Sequence, residues 1–110
     1  MIGIIKIGSE EVGMTANAAS PFLYRNIFHE DFLRETQKKD FDPAIMVKMG
    51  FVMAMQHAKP MSEVSKLTES AFYEWLEQFE PLDVMLASSD ISNLYMGQTA
   101  QTSSPKKEGA

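Results

Sequence analysis

The chain has 110 residues, no cysteine, 45% hydrophobic residues and a formal net charge of −5. This length allows one modest hydrophobic core, and the lack of cysteine excludes disulfides and thiolate metal sites and fits a reducing cytosol. The acidic balance argues against a nucleic-acid partner. No signal peptide is visible, and the most apolar segment, Ala44–Ala58, is shorter than the roughly 20 residues that span a bilayer. We therefore expect no membrane partner.

The N-terminal segment predicts a β-hairpin. Ile2–Ile7 is rich in β-branched residues, and the pair Gly8-Ser9 separates it from a second extended run that ends near residue 15. An isolated hairpin is only marginally stable in water, so this one must pack on helices or pair with another strand.

The pair Ser20-Pro21 is typical of a helix start, with Ser20 as the N-cap and Pro21 as the first helical residue. The expected core face of this helix is formed by Leu23, Tyr24, Ile27 and Phe28. The same helical phase would place Asp31 in the middle of that face. We therefore expect a break near His29 and a second short helix, Phe32–Lys39, capped by Asp31.

A central helix is predicted from Pro43 to about Ala58, because Asp42 precedes a proline there and Pro60 prevents continuation. It is apolar nearly all round, which is typical of a buried helix. Five of the nine methionines lie between positions 46 and 61. Filling of the core is the simpler interpretation, and a flexible surface for varied apolar partners is the alternative.

Two further helices are predicted. The first begins after Thr68, with Leu67 placed to pack against Phe72, and its apolar face is formed by Phe72, Trp75, Leu76 and Phe79. The second runs from about Pro81 to Met96 and ends at Gly97.

The last helix carries two apolar stripes. One consists of Val84, Ala87, Ile91, Leu94 and Tyr95, and the other of Leu82, Met85, Leu86 and Met96. A terminal helix in so small a domain has one core to face, so we expect the second stripe to meet another chain. The alternative is that the rest of the domain covers both stripes.

The acidic residues are concentrated late in the chain. Residues 60–97 contain seven acidic residues against Lys66 alone, whereas residues 1–59 are balanced. A solvated helical face is the simpler interpretation, and an acidic surface for a partner is the alternative. Residues 98–110 are polar and are predicted to form a disordered tail.

The fold class that follows is mainly α. We expect one domain over residues 1–97, a small bundle of four to five helices with a short N-terminal β-hairpin or extended segment (2–15). Chemical motifs are lacking: the glycines are scattered, and His29 and His57 have no metal-binding spacing. The run "HED" at 29–31 could be an acid/base or metal cluster, but a helix end followed by a cap is simpler. We expect no enzyme activity, no cofactor and no metal.

The order of these pieces resembles a known family. An extended segment ends in "GMTANAASPFLYRNIF", and "EDFLRE", "MVKMGFVMAMQHA" and "FYEWLEQF" follow before the last helix and the polar tail. Together they resemble the tail assembly chaperones of long-tailed phages and prophages of Gram-positive bacteria. The resemblance covers roughly residues 5 to 97, and its sharpest parts are Ala19–Phe28 and Phe72–Phe79.

This resemblance implies a helical protein without enzymatic activity that coats the tape measure protein and keeps its apolar helices soluble. It also implies recruitment of the tail tube protein, weak self-association into open arrays, a place in the host bacterial cytoplasm and absence from the mature virion. A longer, frameshifted form is common in the family. The alternative from the residues alone is a small helical adaptor or regulatory module with one defined partner.

The candidate residues for partner binding or self-association lie on two predicted helices. On the first helix, we expect Tyr24 and Phe28 to dock on the central helix, while Phe22 and Arg25 project toward a neighbouring copy. On the last helix, the candidates are Leu82, Met85, Leu86 and Met96.

Overall fold

The computed structural model describes residues 1–40 and 42–97. This part of the chain is mainly helical and begins with a two-stranded hairpin, as the sequence predicted. Its elements are β1 (Ile2–Ile7), β2 (Glu10–Thr15), α1 (Ser20–Phe28), α2 (Phe32–Thr36), α3 (Ala44–Ala58), α4 (Met61–Val64), α5 (Glu69–Leu76) and α6 (Pro81–Met96). The expected count of four to five helices omitted α4, because four residues are too few to show a helical period. The predicted tail, 98–110, lies outside the described residues.

The hairpin packs on the helices. β1 and β2 pair antiparallel around Gly8, whose φ of 65° suits the tight turn. Ile5, Ile7 and Met14 are buried beneath the sheet, which lies on α6 through β1 and on α3 through β2. Over the described residues the sheet has two strands, so its stability comes from these helix contacts.

The chain turns between α1 and α2 where the sequence predicted a break. His29 adopts the left-handed conformation, and Asp31 caps α2 by accepting hydrogen bonds from the backbone N–H groups of Leu33 (3.1 Å) and Arg34 (3.4 Å). The predicted end of α2 at Lys39 is wrong, since the helix ends at Thr36. Every side chain from 37 to 40 is exposed, so no burial supports another helical turn.

Ser20 is not an N-cap. It is the first residue of α1 and is fully buried, and its hydroxyl donates to Gln56 Oε1 of α3 at 2.6 Å. The same oxygen accepts from the backbone N–H of Asn17 at 3.1 Å. Ser20 therefore ties the start of α1 to the end of α3.

The core is built around α3, which begins at Ala44, one residue after the predicted start. Met46, Met49 and Met53 are buried, which confirms the core interpretation for these methionines, whereas Met61 is 51% exposed. Aromatic rings join three helices, because Phe28 of α1 contacts both Phe51 of α3 and Phe72 of α5. The predicted docking of Phe28 on α3 is confirmed.

The last two helices begin close to their predicted positions. Thr68 occupies the N-cap of α5, but its hydroxyl bonds Ser70 Oγ instead of a backbone N–H. Helix α6 spans Pro81–Met96 as predicted, and Gly97 ends it with a φ of 72°.

Candidate partner-binding surface at the start of α6

Helix α6 buries one face and exposes the other. Its buried residues are Val84, Ala87, Ile91 and Leu94. On the opposite face, Leu82 and Leu86 are each 67% exposed, Met85 is 43% exposed and Met96 is 61% exposed. The chain therefore covers the first predicted stripe and leaves the second open.

The second stripe is divided into two surfaces. Ser89 and Asn93 lie on the same face between Leu86 and Met96, and both are exposed. The rise of an α-helix places Met96 about 21 Å from Leu82 along the axis. The second predicted stripe is thus interrupted by polar residues, and Leu82, Met85 and Leu86 are separated from Met96.

A groove lies next to Met85, between α5 and the starts of α3 and α6. It encloses about 420 Å³. Its apolar walls include Val47, Leu76, Phe79 and Val84, with Tyr73 on the α5 side and Met85 on the α6 side. Tyr73 is 56% exposed, and the exposed Leu82 and Leu86 lie within one helical turn of Met85 along α6. We call this combination the α5/α6 surface.

Lys48 is the one charged residue among the described residues that line the groove. Its Nζ lies 3.4 Å from Glu30 Oε1 and 5.3 Å from the centre of the Phe28 ring. The same Glu30 oxygen accepts a hydrogen bond from the Tyr24 hydroxyl at 2.8 Å. Burial, together with this hydrogen bond and the nearby carboxylates, raises the pKa of Tyr24, which therefore donates as a neutral phenol. The positive charge of Lys48 is directed to Glu30.

Acidic side chains flank the α5/α6 surface. Glu69 and Glu77 lie one helical turn before and after Tyr73, and Glu80 immediately precedes α6. All three are exposed. Within residues 1–40 and 42–97 none of them forms an ion pair. The outside of the groove is therefore negatively charged.

The other candidate residues lie elsewhere. Met96 and Pro21 line a second cavity of about 310 Å³, so the end of α6 lies beside the start of α1. Phe22, the residue after Pro21, is 75% exposed. Arg25 is exposed and has no ion pair with a described residue. The six candidates thus lie on two helices, with Leu82, Met85 and Leu86 near the start of α6, Met96 at its end, and Phe22 and Arg25 on α1.

The "HED" run has structural roles. His29 ends α1, Glu30 bonds Tyr24 and Lys48, and Asp31 caps α2. In the described part of the chain, no group of three or more His, Cys, Asp or Glu side chains could hold a metal ion. None of the helices described is both long enough and apolar enough to cross a membrane.

Sequence reasoning missed several exposed apolar residues. Tyr73 was not included because it lies outside the apolar face of α5, yet it forms one side of the groove. Ile2 and Ile4 are 70% and 68% exposed on the outer face of β1. Lys6 lies on the same face of β1, because side chains alternate along a strand. Its charge was the signal in the sequence that this face is exposed.

Comparisons with models of protein families, with curated proteins and with solved structures found no match to this chain. The α5/α6 surface is therefore interpreted from its own geometry.

Proposed function

We propose that this protein is a tail assembly chaperone of a long-tailed phage or prophage. It binds the tape measure protein in the host bacterial cytoplasm, keeps the apolar helices of that long protein soluble and helps to recruit tail tube subunits. It leaves before the virion is mature. The resemblance in order and spacing of the segments supports this proposal, and the α5/α6 surface supplies the physical observation that carries it.

The α5/α6 surface suits a helical client. Leu82 and Leu86 lie one turn apart and form a short ridge, and helices pack by placing such ridges into the grooves of a partner. The cavity beside Met85 can take a large apolar side chain from the client. Leu82, Met85 and Leu86 are exposed in the single chain. A bound client would therefore cover apolar area that otherwise faces water.

A chaperone of this kind must also release its client. The apolar part of the surface is short, because Ser89 follows it on the same face of α6. Each copy therefore binds weakly, and many copies along one client bind strongly together. Weak head-to-tail contacts between copies, made through Phe22, Arg25 or Met96, would support such an array without closing it into a ring. A tail tube subunit can then displace the copies one at a time.

Co-expression with the tape measure protein tests the proposal. We expect the long protein to accumulate in the soluble fraction with the wild-type chaperone and to precipitate with the Leu82→Gln/Leu86→Gln variant. Equal solubility with and without the chaperone would reject the proposal.

The position of the gene separates a chaperone from an adaptor with a single partner. A chaperone gene should lie between the gene for the tail tube protein and a gene for a very long, helix-rich protein. An adaptor would bind one copy per partner, whereas the chaperone should bind many copies along one tape measure protein. Sedimentation of the purified complex measures this ratio.

A further inference from the structure

We propose that the α5/α6 surface selects amphipathic helices that carry lysine or arginine beside their apolar stripe. This inference rests on the proposed function for the helical nature of the client. It adds the charge pattern by which one helix is preferred over another. Any exposed apolar surface would bind an apolar stripe alone. Flanking charges allow the surface to discriminate between one helix and another.

The length of the apolar contact makes a charge contribution necessary. Leu82 and Leu86 are separated by one turn, and the next position in the same ridge is Asp90. Ser89 is exposed on the same face. A bound helix therefore makes apolar contact over about two turns. Such a short contact gives little affinity or selectivity without help from groups around it.

The groups around the contact are carboxylates. Glu69 and Glu77 bracket Tyr73 on α5, and Glu80 lies where the chain enters α6. They are exposed, and no described residue forms an ion pair with them. Three carboxylates without cationic partners among the described residues thus lie close in sequence to Tyr73 and Pro81, which line the groove. The complementary client has cations on either side of its apolar stripe.

The one lysine in the groove does not cancel this charge. Lys48 Nζ lies 3.4 Å from Glu30 Oε1, and its side chain is only 18% exposed. Its charge is paired with that of Glu30. Lys66 is the single basic residue between positions 60 and 97, so the acidic character of this side persists. A helix with acidic flanks would be repelled.

Binding of designed peptides to the purified full chain tests the inference. The probe is a synthetic helix of about 18 residues, or five turns, with leucines along one face and lysines beside them. A matched peptide has glutamate in place of each lysine, and a third keeps the lysines but replaces the leucines with serine. Titration calorimetry at about 0.05 M and about 0.5 M salt measures the affinities, since the higher salt screens exposed charges.

We expect the lysine peptide to bind about tenfold more tightly than the glutamate peptide at low salt, because three exposed ion pairs each contribute modestly. The preference should shrink at high salt. It should also shrink in the Glu69→Gln/Glu77→Gln/Glu80→Gln variant. The control variant Glu10→Gln/Glu11→Gln/Asp40→Asn removes the same charge from exposed positions elsewhere and should keep the preference. The serine peptide should not bind.

Equal affinity for the lysine and glutamate peptides would overturn the inference, as would an unchanged preference in the Glu69, Glu77 and Glu80 variant. Absence of binding by every peptide would overturn it too. Failure of the proposed function has a different signature. In that case the lysine peptide binds with the expected preference, but the tape measure protein stays insoluble in co-expression. If the charge variant solubilises the tape measure protein as well as the wild type does, the charge inference fails while the function stands.

Discussion

Gly50 of α3 lies directly against Ile91 of α6, where a Cβ added to the glycine would be 2.7 Å from Ile91 Cδ1. Both residues are buried, and Ile91 has no exposed surface. This close approach contributes to the rotation of α6 about its axis. With Ile91 against α3, Leu82 and Leu86 on the opposite face point to solvent. This glycine thus helps to determine, together with the contacts of Val84, Ala87 and Leu94, which side chains α6 can offer to a partner.

The first prediction concerns this contact. Overpacking a filled core costs about 1–3 kcal/mol, and the gain of about 1 kcal/mol in helix propensity offsets part of this cost. Gly50→Ala should therefore lower the free energy of unfolding by up to about 2 kcal/mol. Ile91→Val removes the carbon atom that clashes, so the double variant should lose less stability than the sum of the single variants. Urea unfolding of the four proteins measures the coupling. Strict additivity, or a stabilising Gly50→Ala, would show that the two helices are not this close.

The second prediction separates two roles for Ser20. An N-cap serine tolerates replacement by asparagine or aspartate, whereas the buried hydroxyl described above does not. Ser20→Ala leaves Gln56 Oε1 and the Asn17 N–H without this partner and should cost about 1–3 kcal/mol. Ser20→Asp should cost more, because it adds a charge at a fully buried position. Thermal unfolding compares the variants, and an aspartate variant as stable as the wild type would restore the N-cap interpretation.

Local sequence patterns predicted the helices of this fold better than they predicted its long-range contacts. The period of 3.6 residues was sufficient to predict α6, its two faces and its end at Gly97, because an amphipathic helix repeats its signal over four turns. Ser20 was misinterpreted because a serine before a proline looks the same whether it caps a helix or bonds to a distant glutamine. Its partner, Gln56, is 36 residues away in sequence and is brought close only by the fold.

The groove could not be predicted for the same reason. Its walls come from α3, α5 and α6, and residues such as Val47 and Met85 are far apart in sequence. The hairpin shows a different limit. Both faces of β1 carry isoleucine, so the apolar pattern alone could not tell which face meets the core, and Lys6 was the one residue that marked the outer face.

The third prediction is a pH dependence. Burial raises the pKa of Tyr24, and it also raises the pKa of Tyr95. Both contributions to stability are fully present below about pH 10, where tyrosines ionise in the unfolded chain. Above that pH the unfolded state binds fewer protons than the native state, so stability falls as pH rises. Each tyrosine contributes a slope of up to about 1.4 kcal/mol per pH unit.

The variant Tyr24→Phe isolates one of these contributions. Its loss of stability between about pH 10 and pH 11 should be smaller than that of the wild type, because only Tyr95 still contributes. At neutral pH it should be less stable by about 0.5–1.5 kcal/mol, since the hydrogen bond to Glu30 is lost. Denaturant unfolding across this pH range gives both values. Parallel pH curves for the two proteins would show that Tyr24 ionises as readily in the native state as in the unfolded chain.

The fourth prediction concerns contact between copies. Phe22→Gln/Arg25→Gln should weaken self-association while leaving the helical content unchanged, because both side chains are exposed. Sedimentation velocity at high concentration and far-UV circular dichroism provide the two readouts. The control Ile4→Thr/Lys6→Gln changes one exposed apolar residue and one cation on the hairpin and should associate as the wild type does. Unfolding of the Phe22/Arg25 variant would assign these residues to the fold, and unchanged association would remove them from the interface.

The binding of a purified tape measure fragment to the α5/α6 surface tests the central claim most directly. Leu82→Gln/Leu86→Gln should keep the stability of the wild type within about 0.5 kcal/mol, as expected for exposed positions. The control Leu33→Gln/Met61→Gln replaces two exposed apolar residues of other helices with glutamine.

Calorimetric titration of the fragment with each protein gives the dissociation constant. We expect a dissociation constant at least about tenfold larger for the Leu82/Leu86 variant, which corresponds to about 1.4 kcal/mol, and an unchanged constant for the control. Equal affinity of the wild type and the Leu82/Leu86 variant for the fragment, with both proteins folded, would contradict it.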